Sequence, residues 1–248
     1  MRTYAHFSFD DCLFWVDLID GRLASAFDQP FLSQLRAIHD RTGATFTLNL
    51  FMTDGTHRLS EVPADYAAEF ASNQSWLRFA FHAEDTFTHY DADCPDIIAA
   101  SYREFVAAIF RMTGTPVCID QVTRLGFFSG SAANVDALCK ADFGLLGLFS
   151  ADDTRISYCL TPESSEYAYR KGQYFDADRR LLFIKSQLRI ERCDDVSAFI
   201  PLLDAASYPL EFFTHEQEWT PAVMKRTEAL LEVLHDHGIP FSFVQDHL

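Results

Sequence analysis

Three short stretches hold most of the side chains able to do chemistry: Asp10-Asp11, His82-Ala-Glu-Asp85 with His89 beyond it, and His215-Glu216. Each follows an apolar run with the length and composition of a β-strand. Ends of parallel strands in α/β folds are where ligands and reacting groups collect. Carboxylates and imidazoles together form a ligand set for zinc or another divalent transition metal. A catalytic site also needs a proton donor and a proton acceptor beside the ligands. Adjacent residues of an extended chain point to opposite sides, so Asp10 and Asp11 can do two jobs, one on a metal and the other on a proton. The plainer alternative is that Asp10-Asp11 caps a following helix. His215 leaves a dry apolar strand ending in Phe212-Phe213, with Glu216 beside it to offset charge on the ring.

The elements that must position these residues alternate along the chain. Strands are expected from Tyr4 to Asp10, Thr45 to Phe51, Leu77 to Phe81, Val122 to Phe128, Leu145 to Phe149, Leu210 to Phe213 and Pro240 to Val244. Helical spacing of apolar residues falls at 30–39, 65–72, 97–112, 132–140, 196–205 and 221–235. Between Ile156 and Ile190 the alternation changes. Ile156–Leu160, Gly172–Phe175 and Leu181–Ile184 read there as short antiparallel strands, a hairpin-like insertion. Strands alternating with helices predict a parallel sheet with right-handed crossovers. The expected fold is α/β, a distorted (β/α) barrel of about seven parallel strands with a short antiparallel insertion, in a single domain spanning residues 1–248. Neither a glycine-rich dinucleotide loop nor a P-loop occurs, which removes the usual nucleotide-binding functions.

The chain carries a formal net charge of −16, and 48% of its residues are apolar, 24 of them Phe. That charge disfavours nucleic acid and anionic membrane surfaces as partners, since both select basic protein surface. No apolar run reaches the ~20 residues needed to span a bilayer. The sequence enters its first strand within a few residues of Met1, and its six cysteines are scattered without a C-x-x-C pair. A cytoplasmic protein with reduced thiols is expected from this. Oligomeric state is not set by any of these features. Asp152-Asp153 reads as a turn or helix start. Of the tryptophans Trp15, Trp76 and Trp219, the last is the candidate for a wall of the cleft.

Ser8-Phe-Asp-Asp11 resembles the first motif of the polysaccharide deacetylases, the NodB-like carbohydrate esterases, which reads T-F-D-D-G. Phe212-Phe-Thr-His215 is similar to their last motif, and Arg124-Leu-Gly-Phe-Phe-Ser-Gly130 loosely to their arginine-containing third. The resemblance implies a deformed barrel that uses one divalent metal, zinc first, to remove an N- or O-acetyl group from a carbohydrate. It implies Asp10 as general base, Asp11 and His82 as metal ligands, His215 as the acid for the leaving group, and Arg124 as the residue that steadies the base. The sequence departs from the family at the second motif, H-[S/T]-x-x-H, where Thr86 stands in the place of the second imidazole. His89 is therefore expected as third ligand, ahead of Asp85 or Glu84. Cys12 replaces the usual glycine of the first motif. Two alternatives remain. One is a metal-free, inactive barrel of the same ancestry that binds a glycan or a protein. The other is a glycoside hydrolase drawing on two of Glu84, Asp85, Asp152, Glu211 and Glu216 across a cleft.

Overall fold

Strand β1 (Ala5–Cys12) alternates two chemistries along its length. Phe7 and Phe9 are fully buried, and Phe9 meets Phe31 and Trp219 edge-on with ring centroids 5.0 and 4.9 Å apart. His6, Ser8 and Asp10 are equally buried but point the other way, hydrogen-bonding to Thr47, Glu211 and Asn49. A strand covered on both faces belongs in the middle of a parallel sheet, and β1 is the centre of one. The computed structural model describes residues 3–150, 157–196 and 209–248. In it the first sheet has the order β3 (Leu77–Ala83), β2 (Phe46–Phe51), β1, β9 (Leu210–His215), β8 (Ser186–Arg189), with every pairing parallel.

A second sheet runs β4 (Val122–Thr123), β5 (Gly147–Phe149), β7 (Leu181–Ile184), β6 (Gln173–Asp176). Its first three strands are parallel and β6 is antiparallel to β7. The sheets approach each other at two margins. Asp120 N–H donates to the Phe79 carbonyl at 2.8 Å beside β3, and β7 passes into β8 through Lys185 alone. Helices α1 (Pro30–Thr42), α2 (Ala67–Ser72), α3 (Pro95–Thr113), α4 (Ala132–Cys139), α5 (Pro162–Lys171) and α6 (Pro221–Asp236) fill the connections. The apolar stripe of α1, Phe31, Leu32, Leu35 and Ile38, is buried. It starts at Pro30, where the missing N–H costs nothing.

The mixed α/β fold with parallel strands agrees with the sequence reading, and among the described residues the strands of the expected distorted barrel form two sheets. The second sheet is too short in the strand direction to close the ring: β4 has 2 residues and β5 has 3. The expected strand from Val122 to Phe128 stops at Thr123, because Gly126–Phe128 is a 3₁₀ turn with Phe127 and Phe128 in the left-handed region. Residues 157–160 of the expected strand Ile156–Leu160 form a turn, and Ile156 lies outside the described residues. Helix α5 takes up the following stretch with clear local signals. Thr161 Oγ1 accepts from Ser164 N–H, Pro162 opens the first turn, and Gly172 at φ 84° supplies the left-handed C-terminal position. The expected last strand shrinks to a single parallel bridge, Ala5 to Phe241, before a 3₁₀ turn at Val244–His247. The helix expected at 196–205, and Asp152-Asp153, fall essentially outside the described residues. No helix among those residues is long and apolar enough to cross a membrane.

Candidate active site

The inward-facing polar side chains of β1 set the site. Parallel register places Asp10 directly beside His215 of β9, so two of the expected residues share one end of the sheet. The ladder between β1 and β2 slips after Phe9, and Asp11 takes φ 57°. That bulge turns the chain so that Asp10 and Asp11 line the same cleft, a re-aiming that bulges commonly perform. A non-glycine residue in this conformation costs on the order of 1–3 kcal/mol. The adjacent carboxylates were expected to point to opposite sides, and the slip is the reason both reach the cleft. Neither caps a helix: Glu216 does that work, its Oε2 accepting from the Leu13 and Phe14 N–H groups at 2.6 and 3.0 Å. Burial raises the Glu216 carboxyl to about 7.

Asp10 is held on three sides. Arg124 Nη1 donates to its two oxygens at 3.0 and 3.2 Å, and Asn49 Nδ2 donates to Oδ1 at 2.8 Å. Thr123 Oγ1 in turn fixes Asn49 by donating to its Oδ1 at 2.9 Å. Arg124 is 1% exposed and serves a second carboxylate, Glu211, through Nη2 at 2.7 Å. Ser8 accepts from Nη1 and Ser186 from Nη2, and the centre of the Phe213 ring lies 3.7 Å from its guanidinium carbon. Burial opposes the charge on Arg124, but Asp10 and Glu211 outweigh it and hold the guanidinium protonated. Arg124 thus lies against Asp10. Glu211, offered as a carboxylate across a cleft, is instead sealed behind Arg124 at 0% exposure.

His82 and Asp11 form the next pair. His82 Nδ1 lies 2.5 Å from the Arg124 carbonyl, which makes Nδ1 the N–H donor, and Nε2 meets Asp11 Oδ1 at 3.0 Å. Burial opposes a charge on His82, but Asp11 and Asp10 prevail and raise its pKa. Burial also works against the Asp11 carboxylate, yet His82 and Gln217 lower it to about 2. Gln217 Nε2 donates to Asp11 Oδ2 at 2.6 Å.

His215 is buried and its Nδ1 lies 2.6 Å from Glu191 Oε1, leaving Nε2 available. Glu191 is steadied by Thr214 Oγ1 at 2.8 Å and by Arg189, and these partners with His215 overcome burial to hold its carboxyl at about 2. The sequence reading assigned this supporting role to Glu216. The structure gives it to Glu191, in a segment where neither β8 nor the turn after it was anticipated. Asn49 was missed as well, since an Asn inside an alternating strand reads only as a polar interruption.

The cleft containing Asp10, Asp11, His82, Arg124 and His215 has a volume of about 440 Å³, within the usual range for small-molecule sites. Thr86 also lines it. His89 does not. Its ring stacks on Phe127 with centroids 3.7 Å apart, and its Nδ1 is 3.9 Å from Asp91. Asp85 accepts from Phe87 N–H and Thr88, and Glu84 pairs with Arg58 and Ser101. Trp219, the expected cleft wall, packs on Phe9 and Phe31 and donates to Gln34.

The donor set fits a divalent metal in part. A histidine whose Nδ1–H is fixed by a carbonyl presents Nε2 as a ligand, and a carboxylate stands 3.0 Å from that nitrogen. Among the described residues, however, no group of three His, Cys, Asp or Glu side chains is arranged to hold a metal ion. Catalytic zinc sites ordinarily use three protein ligands.

No protein-family model and no curated relative matches this sequence. Solved structures do match its shape. A protein assigned as a polysaccharide deacetylase from Mycobacterium smegmatis superposes with a TM-score of 0.63 at 11% identity, over 99% of this chain and 88% of that one. The Xyl-CE4 domain of a multidomain xylanase from the hindgut metagenome of Trinervitermes trinervoides superposes with a TM-score of 0.51 at 14% identity, again over 99% and 88%. The chain therefore has the fold of the polysaccharide deacetylases, the fold that its first and last sequence motifs resemble.

Proposed function

We propose that this protein is a carbohydrate-directed hydrolase that removes N- or O-acetyl groups, in a single domain spanning residues 1–248. One observation carries the reading. A clamped carboxylate, Asp10, and an oriented imidazole, His215, sit side by side in register and line one cleft. Acyl transfer to water needs those two parts, a base for the attacking water and an acid for the departing amine or alcohol. Asp10 accepts the proton, with Arg124 and Asn49 fixing its oxygens. His215 gives a proton from Nε2, with Glu191 fixing the tautomer through Nδ1 and stabilising the ring while it is charged. A divalent ion held by Asp11 and His82, zinc first among candidates, would supply Lewis acidity toward the acetyl carbonyl. For His89 to join those two ligands it would have to leave Phe127. A cytoplasmic location belongs to the same reading and is supported by the six free cysteines.

A second reading, a metal-free barrel that binds a glycan or a protein without catalysis, is favoured by the lack of a third ligand among the described residues and by the bonds that already occupy Asp11. A glycoside hydrolase fits less well. Among the described residues the carboxylates lining the cleft are Asp10 and Asp11, neighbours in sequence that are already engaged by Arg124 and by His82. The test is acetate release from a panel of acetylated chito- and xylo-oligosaccharides, with and without added zinc. Release that zinc stimulates and a chelator removes is the expected result. A protein that binds the panel yet releases no acetate supports the binding-only reading, and chelator-insensitive release of reducing sugar would transfer the case to glycoside hydrolysis.

A further inference from the structure

The cleft has an aromatic rim that the chemistry above leaves unused. Phe127 lines the cleft and is 54% exposed, in a protein where most Phe side chains are buried. Its backbone sits at φ 57° and the next residue, Phe128, at 55°. Two successive non-glycine residues in this region are costly, and such outliers gather at ligand sites. The turn packs Phe128 against Phe213, with ring centroids 6.3 Å apart, while the Phe127 ring remains half in solvent. His89 lies flat against one face of that ring, 3.7 Å away and within 13° of parallel. The stack covers one face of a ring that is 54% exposed and lines the cleft.

We infer that the Phe127 ring, backed by His89, is a stacking platform for a pyranose ring of a glycan lying in the cleft. A pyranose has a face of C–H bonds and a rim of hydroxyls. An aromatic wall above a polar floor complements both. The floor here is Asp10, Asp11, His82, His215 and Gln217. This inference rests on the carbohydrate-directed reading and adds to it the way the sugar is held. His89 is a positioning residue in it, acting through Phe127.

Binding of tetra-N-acetylchitotetraose and of xylotetraose, followed by calorimetry on the full chain without added metal, tests it. Phe127→Ala is expected to weaken binding about three- to tenfold, the usual scale of an aromatic stacking contact, and His89→Ala to weaken it less. Phe127→Trp is expected to preserve binding and to report it by a change in tryptophan fluorescence when the sugar is added. Phe175→Ala, which removes an exposed aromatic ring on β6 away from the cleft, is expected to bind as wild type does. Wild-type binding that is unchanged in Phe127→Ala, or a Phe127→Trp protein that binds without a fluorescence change, overturns the platform and leaves the carbohydrate-directed reading standing. A wild type that binds neither oligosaccharide overturns that reading, and the platform with it.

Discussion

Arg124 is the side chain on which most of the buried charge of this protein depends. It neutralises Asp10 and Glu211 together, and all three are nearly inaccessible to water. Removing the cation while leaving the carboxylates strands buried charge, which is far costlier than replacing a whole ion pair by apolar groups. Arg124→Met is expected to lower unfolding free energy by about 3–5 kcal/mol, measured by urea denaturation. A loss below about 1 kcal/mol, the worth of an exposed pair, would mean that the carboxylates are not ionised. The matching prediction for chemistry is at His215, which is positioned by Glu191 and is not needed for the packing of β9. His215→Ala is expected to retain the fold and to reduce acetate release by about 10²–10⁴. A variant as active as wild type would remove this imidazole from the proton transfer. Both residues could be picked out in the sequence because they stand in recognisable strings at the ends of apolar runs. Glu191 and Asn49 could not, and Glu211 stood out only as a carboxylate across a cleft, since the roles they have depend on His215, Arg124 and Asp10, which are distant in the chain.

At the scale of elements, the inward faces of β1 and β2 carry polar layers, with Phe149 of β5 stacked on His6. The layer farthest from the cleft joins β1, β2 and the segment before β4. His6 meets Thr47 Oγ1 at 2.9 Å, Thr47 donates to Asp120 at 2.5 Å, and Val122 N–H donates to the other Asp120 oxygen at 3.1 Å. Burial raises the Asp120 pKa to about 6 despite those bonds. The folded state therefore binds this proton more tightly than the unfolded chain does, so stability falls as pH rises from about 4 to about 6. Relative to Asp120→Asn, which cannot titrate, wild type is expected to lose about 2–3 kcal/mol between pH 4 and pH 7, the equivalent of roughly two pKa units. Thermal unfolding of both proteins across that range measures it. A difference between them that does not change with pH would show that Asp120 titrates as in the open chain. The alternation in β1 is plain in the sequence. Which of its two faces would be apolar-packed and which hydrogen-bonded depended on the strands that came to lie beside it.

For the whole molecule, the proposed function makes a prediction about how the cleft would hold a metal. Under the proposed function Asp11 and His82 would supply two ligands, and Thr86, which lines the same cleft, is the position at which a third would be added. Wild type is expected to bind zinc weakly, and Thr86→His to tighten binding by about tenfold or more, as a third imidazole completes the usual catalytic ligand set. Competition with a chromophoric chelator reads the affinity directly. Tight stoichiometric zinc in wild type, unaffected by Thr86→His, would mean that the ligand set is completed by a residue other than those seen in the cleft.

The sequence by itself determined the α/β class, the helices with clear caps, and the three strand ends where ionisable residues collect. These are local properties: apolar period, capping residues and the position of a charge after an apolar run. It also carried enough of two motifs to point to the deacetylase fold. Tertiary structure alone decided that the strands divide into two sheets, because closure depends on ladder lengths that no local pattern specifies. It decided that Asp10 and Asp11 share a cleft, through a register slip between β1 and β2. And it decided the fate of His89, which sequence spacing offered to a metal and which the structure places on Phe127, where the folded loop brings the two rings into contact across 38 residues of chain.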